Sequence, residues 1–388
     1  MYIQARFNVE TCSVHFVLRI LQISSAQSLG GGERHLADLA NGLVARGHVV
    51  HVALRPRSSL IAELKSVSRQ NVITLPLRNS LDVKSARELS RLVDKHNIQI
   101  VHAHMARDYP LAAYAVRGNP RSRLIVTRHV LFHLNRLHRI TLSKAARVIA
   151  VSQAVASQLQ ADNLVPAEKL SVVLNGIDTS RFASARAGFN RRQFFNVWKL
   201  PEDSMLVGTV GELSPLKGQE EFIRAAAQVL SQFPKTYFVI AGIDHSEGNK
   251  NQTRLERLIE ELDLTNHVKL VGWLEDLPQL YSALDVFVSA SHTESFGLAI
   301  AEAMASSAAV VAAETEGARE LITEGETGLL VPIGDVDALA SKILRLLTHE
   351  NERNHLGMAA QQTAEAEFSV ERMIAETEKI YEVETQHR

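Results

Sequence analysis

Seven short aliphatic and β-branched runs recur through the first half of the chain: 18–24 (LRILQIS), 49–54 (VVHVAL), 72–77 (VITLPL), 98–104 (IQIVHAH), 123–129 (RLIVTRH), 147–152 (RVIAVS) and 170–175 (LSVVLN). They are nearly continuous in apolar character, as strands buried on both faces must be. Helical periodicity fills the gaps. In 31–47, Leu36, Leu39, Ala40, Leu43 and Val44 repeat at helical spacing and Gly47 closes the run. Strand, helix, strand, many times over, predicts a doubly wound parallel sheet.

The rhythm lapses at 183–204, a polar and basic stretch, and then restarts with 205–210, 236–242, 267–272, 285–290, 309–313 and 328–332. The chain therefore reads as two α/β halves: an N-terminal Rossmann-like domain over 1–185, a linker over 186–204 and a C-terminal Rossmann-like domain over 205–368. In 369–381, Val370, Met373, Ile374, Thr377, Ile380 and Tyr381 share one helical stripe. That stripe needs a partner, and the helix 369–388 is expected to pack back on the first domain. Two such sheets facing each other leave a cleft at their carboxyl ends, where ligands of these folds bind.

At 388 residues the length suits two or three domains. The net charge of −1 gives no electrostatic case for nucleic acid. Cys12 is the single cysteine, which excludes an internal disulfide and any cysteine-based zinc cluster and suits a reducing cytoplasm. No apolar stretch is long enough to span a bilayer. Residues 1–16 carry Arg6 and Glu10 where an export signal needs an apolar core, so this segment is expected to be dispensable.

Five features carry chemistry. Gly30, Gly31, Gly32 and Glu33 lie between the first strand and first helix, where backbone can approach a ligand and the helix start favours anions. This is not the dinucleotide glycine pattern, and Leu54-Arg55 stands where its acid would be, so no nicotinamide cofactor is expected. Lys217 follows the first strand of the second half in GELSPLKG and is expected to open a helix there, placed to meet phosphate. In ESFGLAIAE, Ser295-Phe296-Gly297 reads as a helix start, with Glu294 before it and Glu302 about two turns on, roughly on the same face. His102, His104, His129 and His133 stand near strand ends facing the cleft, where an imidazole hydrogen-bonding a substrate hydroxyl is favoured over a metal site. Finally, Arg117, Arg121, Arg123, Arg128, Arg136, Arg139, Lys144 and Arg147 occupy an interval without any acid. That face suits anionic lipid or a phosphate-bearing acceptor, and Phe132 as its lone aromatic argues against single-stranded nucleic acid.

Together these segments resemble a retaining GT-B glycosyltransferase of family 4, the group 1 glycosyl transferases, over about Leu18 to Tyr381. The resemblance rests on LGGGERHLADLANGLVARGHVVHV, on VLNGIDTSRF (173–182), on the two glutamates with seven residues between them in ESFGLAIAEAM, and on TGLLVPIGDVDALA (327–340). It implies an α/β fold of two Rossmann-like domains across a cleft, with acceptor on the first and nucleotide sugar on the second. The implied donor is a UDP- or GDP-sugar; the implied acceptor is a glycan, lipid-linked or small-molecule hydroxyl in cell-envelope synthesis. Glu302 would bind the ribose. Glu294, with the amides of Phe296, Gly297 and Leu298, would hold the sugar and distal phosphate. Lys217 would neutralise the diphosphate, His129 would contact the transferred sugar, and Gly31 and Gly32 would lie under the donor. No cofactor or metal is implied, and a cytoplasmic protein, in peripheral contact with the inner membrane face through 117–147, is expected. The chain departs from the family at Glu212, where arginine is usual and which should turn away from the diphosphate, at Ser307 and Ala309, where glycine and proline are common, and at Glu316, in place of a glycine. A degenerate protein that binds a glycan or partner without turnover is the alternative.

Overall fold

This computed structural model describes residues 16–28 and 30–386, so the expectation for 1–16 lies almost wholly outside the described residues. The first sheet has strands β1 (Arg19–Ser24), β2 (Val49–Leu54), β3 (Val72–Thr74), β4 (Ile100–Ala103), β5 (Arg123–Arg128), β6 (Arg147–Ala150) and β7 (Leu170–Val172) in the order β3-β2-β1-β4-β5-β6-β7. The second has β8 (Met205–Val210), β9 (Thr236–Ala241), β10 (Val268–Gly272), β11 (Val286–Ser289), β12 (Ala309–Ala313) and β13 (Leu329–Val331) in the order β10-β9-β8-β11-β12-β13. Every strand pairing is parallel. Each apolar run in the sequence thus becomes a strand, in full at 49–54, 205–210 and 309–313 and trimmed at its ends elsewhere.

Alternate residues of each strand feed two separate apolar clusters, one per sheet face. In the first sheet Ile20 and Ile100 join one cluster, and Leu21, Ile23 and Val101 the other. The second sheet is covered in the same way on both faces. In each sheet the strand order reverses beside the first strand, between β1 and β4 and between β8 and β11. The loops leaving the carboxyl ends of those four strands line the crevice where such folds take ligands.

Residues 183–204, where the strand–helix rhythm lapses, are not without structure of their own. They lie largely in two capped helices, Thr179–Ala187 and Arg191–Trp198. Asp178 accepts the Arg181 amide and Asn190 the Gln193 amide, both at 3.0 Å, which is the N-cap geometry that starts a helix. Phe195 is fully buried, and Phe194 stacks on Trp198 at 4.9 Å.

After the second sheet the chain returns. Ile177 and the 368–370 segment exchange backbone hydrogen bonds of 2.9 Å. A side chain on Gly176 would meet the Val370 Cα at 2.6 Å, so glycine is what lets the two backbones cross. The helix Val370–Gln386 then lies on helix Gly31–Ala45 with Met373, Ile374, Thr377 and Tyr381 buried. Arg46 and His48 both meet Glu378 at 2.6 Å beside this contact.

Candidate functional site

Lys217 leaves β8 in a short 3-10 turn, Pro215–Lys217, and does not itself open the next helix, Gln219–Gln232. Gly218 separates them at φ +65°, with no room for a Cβ, which would lie 1.9 Å from the Ala290 carbonyl oxygen. The β8 and β11 loops are therefore locked together, and Lys217 Nζ is delivered 2.6 Å from Glu294 Oε1. Ser291 donates to the same oxygen at 2.8 Å.

The helix after β11 starts later than the sequence suggests. It spans Leu298–Ala305, behind Gly297 at φ +99°. Glu294 consequently sits in the preceding loop, and the two-turn relation to Glu302 does not apply; Glu302 lies on the second turn of a helix that never included Glu294. Phe296 is buried against Phe368 in an edge-on contact of 5.8 Å, so its side chain anchors the loop while the backbone of 296–298 faces the helix start. Such a first turn carries the unpaired amides that receive anions.

Glu302 is 7% exposed. It accepts from Tyr281 Oη at 2.9 Å and faces Arg34 Nη1 at 3.3 Å. Burial raises its pKa, opposed by Arg34, Tyr281 and Arg181. Arg34 belongs to helix Gly31–Ala45 of the other domain, so this ion pair spans the cleft. Near it a Cβ on Gly31 would lie 2.8 Å from Leu298 Cδ1, and one on Gly32 3.3 Å from the His129 ring. Two further contacts cross the cleft: Ser295 Oγ accepts the Leu131 amide at 3.2 Å, and Glu320 accepts the Gln153 amide at 2.8 Å.

Under the glycines the histidines form a cluster, with one member that the sequence reading missed. His35 packs edge-on to His129 at 4.8 Å, and His104 stacks on His129 at 5.5 Å. The missed signal was helical spacing: His35 lies three residues after Gly32, under the glycine turn. His133, expected with them, is elsewhere; it is exposed and meets Asp162 at 3.1 Å.

A buried polar chain runs from this cluster to the C-terminal helix. His129 Nε2 and His104 Nδ1 are 3.2 Å apart, and His104 Nε2 donates to Gln22 Oε1 at 2.7 Å. The Gln22 amide nitrogen donates to Tyr381 Oη at 3.1 Å, Tyr381 bonds His102 Nδ1, and His102 Nε2 meets Thr127 Oγ1 at 2.7 Å. The Gln22 carbonyl can only accept, so with this amide orientation His104 is protonated at Nε2 and bare at Nδ1. Burial depresses the pKa of His102, His104 and His129 well below the usual range and that of His35 to about 4, each ring adding to its neighbours. All four are neutral at pH 7.

Glu212 is exposed, and its backbone carbonyl accepts from Gln219 at 2.8 Å. The basic run 117–147 is not one surface. Arg147 pairs with Glu384 at 2.7 Å, Arg123 bonds the Glu384 carbonyl at 3.1 Å, and Arg128 is buried and donates to the Phe132 carbonyl. Arg117, Arg121, Arg136, Arg139 and Lys144 remain exposed.

Two family models match: "Glycosyl transferases group 1" over residues 190–363 and "Glycosyltransferase Family 4" over 29–181. The N-acetyl-alpha-D-glucosaminyl L-malate synthase of Bacillus anthracis is 23% identical over 92% of this chain and 95% of its own. A glycosyltransferase from Rickettsia africae superposes with a TM-score of 0.86 at 22% identity, over 96% of this chain and all of that one. Anabaena Alr3699/HepE in complex with UDP and glucose superposes with a TM-score of 0.79 at 26% identity, over 94% and 99%.

Proposed function

We propose, since the chain belongs to the family 4 (group 1) glycosyltransferases of GT-B fold, that it moves a sugar from a nucleotide-sugar donor to a hydroxyl of a glycan, lipid-linked or small-molecule acceptor, with retention of configuration and without a divalent metal. The observation that carries this reading is the Lys217–Glu294 pair, 2.6 Å apart, where the strand order of the second sheet reverses. Glycosyl transfer builds positive charge at the anomeric carbon while a nucleoside diphosphate leaves. The barrier falls where preorganised donors meet the charge growing on that phosphate. Lys217 and the start of helix Leu298–Ala305 would supply those donors, and Glu294 would hold the sugar. Glu302 would take the ribose hydroxyls, exchanging its Arg34 contact for them. His129, neutral in the free protein, would face the transferred sugar over Gly32. With Glu294 engaged by Lys217 and Ser291 and assigned to holding the sugar, the acceptor would attack from the face the diphosphate leaves, and the leaving phosphate would take the acceptor's proton. The Anabaena complex with UDP and glucose supports UDP-sugars as the first donors to test.

Phe132, Leu137 and Ile140 are 67%, 68% and 61% exposed, beside Arg136, Arg139 and Lys144. Apolar tips among cations favour peripheral contact with anionic lipid, where a lipid-linked acceptor would be met. The reading is tested with UDP-, GDP- and ADP-sugars, by thermal shift and donor turnover, with and without EDTA. One donor should bind and turn over in EDTA, and Lys217→Ala and Glu294→Ala should each lower turnover by about a hundredfold. If no nucleotide sugar binds at millimolar concentration, the chain is a binding subunit without turnover.

A further inference from the structure

The histidine cluster holds more ligand capacity than contact with a sugar hydroxyl uses. His35, His104 and His129 each offer a ring nitrogen, and the three nitrogens lie within 4.8 Å of one another. They come from three different places: the first helix, the loop after β4 and the loop after β5.

Partners outside the cluster orient two of the rings. His35 Nδ1 meets the Asn175 carbonyl oxygen at 2.9 Å, and His104 Nε2 meets that of Gln22 at 2.7 Å. A carbonyl oxygen only accepts, so those two ring nitrogens carry the protons. The opposite nitrogens, His35 Nε2 and His104 Nδ1, carry lone pairs into the cluster. An N–H held by a carbonyl with the lone pair turned inward is how metal-ligating imidazoles are oriented. His35 Nε2 and His129 Nδ1 are both buried without a hydrogen-bond partner among the described residues. Leaving such a nitrogen unpaired costs about 1–3 kcal/mol, and an ion in the cluster would relieve that at His35 Nε2. The 3.2 Å between His104 Nδ1 and His129 Nε2 is close to the ~3.3 Å edge of a tetrahedron drawn around zinc with bonds of about 2.05 Å.

We propose that His35, His104 and His129 form a three-imidazole site for a divalent transition metal ion of the zinc class, with the fourth position open to the cleft. The ligands bind as neutral imidazoles. His129 moves its proton from Nε2 to the now unpartnered Nδ1, so no net proton is released. With one edge already at 3.2 Å and none of the three nitrogens more than 4.8 Å from another, they close around the ion to metal–nitrogen bonds of about 2.05 Å by shifts of under about 1 Å. Three imidazoles without a carboxylate select zinc, cobalt or nickel over magnesium or calcium. A second consequence rests on the glycosyltransferase reading above: the ion takes the His129 ring away from the donor sugar and so inhibits transfer.

The test uses the untagged full chain, stripped with chelator and titrated with cobalt(II) chloride. A three-nitrogen, four-coordinate site gives intense visible cobalt bands that saturate at one ion per chain and are displaced by zinc. His35→Gln should remove them, and His133→Ala, outside the cluster, should keep them. Wild-type spectra no stronger than hexa-aqua cobalt overturn the site even if His35→Gln does not fold, and bands that survive in a folded His35→Gln overturn its ligand set. In a donor assay, one equivalent of zinc should lower kcat/KM by about tenfold or more, reversed by EDTA. Cobalt bands with unchanged turnover overturn the inhibition and keep the site. Metal-free protein that binds no donor overturns the transfer reading, with the cobalt spectrum still deciding the metal site.

Discussion

Arg34 and Glu302 meet across the cleft at 3.3 Å, one on the first helix of the N-terminal domain and the other on the helix after β11. Arg34 is the largest influence holding Glu302 ionised against its burial. Removing it leaves a buried carboxylate with Tyr281 as its nearest hydrogen-bond donor. Arg34→Gln should therefore raise the Glu302 pKa further. UDP binding that needs an ionised Glu302 would then weaken at a higher pH than in the wild type. Calorimetric titrations of UDP between pH 5 and 8 measure this, and superimposable profiles would show that the carboxylate does not hold the nucleotide.

Gly31 sets how closely the domains approach. A methyl at this position would lie 2.8 Å from Leu298 Cδ1, closer than real carbon contacts come. Gly31→Val should hold the cleft open and lower kcat/KM by roughly tenfold, the scale of a small misplacement in a preorganised site. Shortening the opposing side chain makes the explanation checkable: Leu298→Ala should restore part of the activity in Gly31→Val. An additive double variant would mean that Gly31 acts through something other than this contact.

Tyr381 lies at the far end of the chain from Gln22, yet their side chains meet at 3.1 Å in the core. Tyr381→Phe strands the Gln22 amide and the His102 ring, at a cost of about 1–3 kcal/mol for an unpaired buried group. The urea midpoint should fall accordingly. Adding Gln22→Leu should cost less than the sum of the single changes, because one network is lost once. Full additivity would show that the polar chain is not cooperative.

Much of this was legible in advance, for a physical reason. Strands buried on both faces must be continuously apolar, so all thirteen runs became strands and the two-sheet architecture followed. Helix caps are written in one or two polar residues, which is why Asp178 and Asn190 went unread and the two helices of 183–204 with them. The left-handed backbone of Gly297 is decided by packing, so the two-turn spacing of Glu294 and Glu302 misled. At Ser307, where the resemblance led us to expect glycine, φ is +58°, a conformation that glycine adopts at least cost. Arg34 and Tyr281 reach Glu302 through long-range packing, whereas His35 was marked only by its helical spacing from Gly32 and Tyr381 only by the apolar stripe of the last helix.

His51 gives the fold an acid-sensitive point away from the cleft. It lies in β2, 6% exposed, its ring 4.3 Å from that of His96, with Nδ1 buried and without a hydrogen-bond partner among the described residues. Burial first, then the like charges of His96 and Arg19, lower its pKa to about 4. The unfolded chain binds this proton near pH 6.5 and the folded one does not. The stability that a neutral His51 contributes is thus complete above pH 6.5 and is lost as pH falls toward 4. Asp38 and Asp108, raised to about 6 by burial, act in the opposite sense: their contribution is complete below pH 3.8 and is lost as pH rises through 6. A bare melting curve mixes these slopes, so the useful quantity is the melting temperature of wild type minus that of His51→Gln, measured in EDTA. It should fall steadily from pH 7 to pH 4 and flatten below. Two parallel curves across that range would mean that His51 protonates equally in both states.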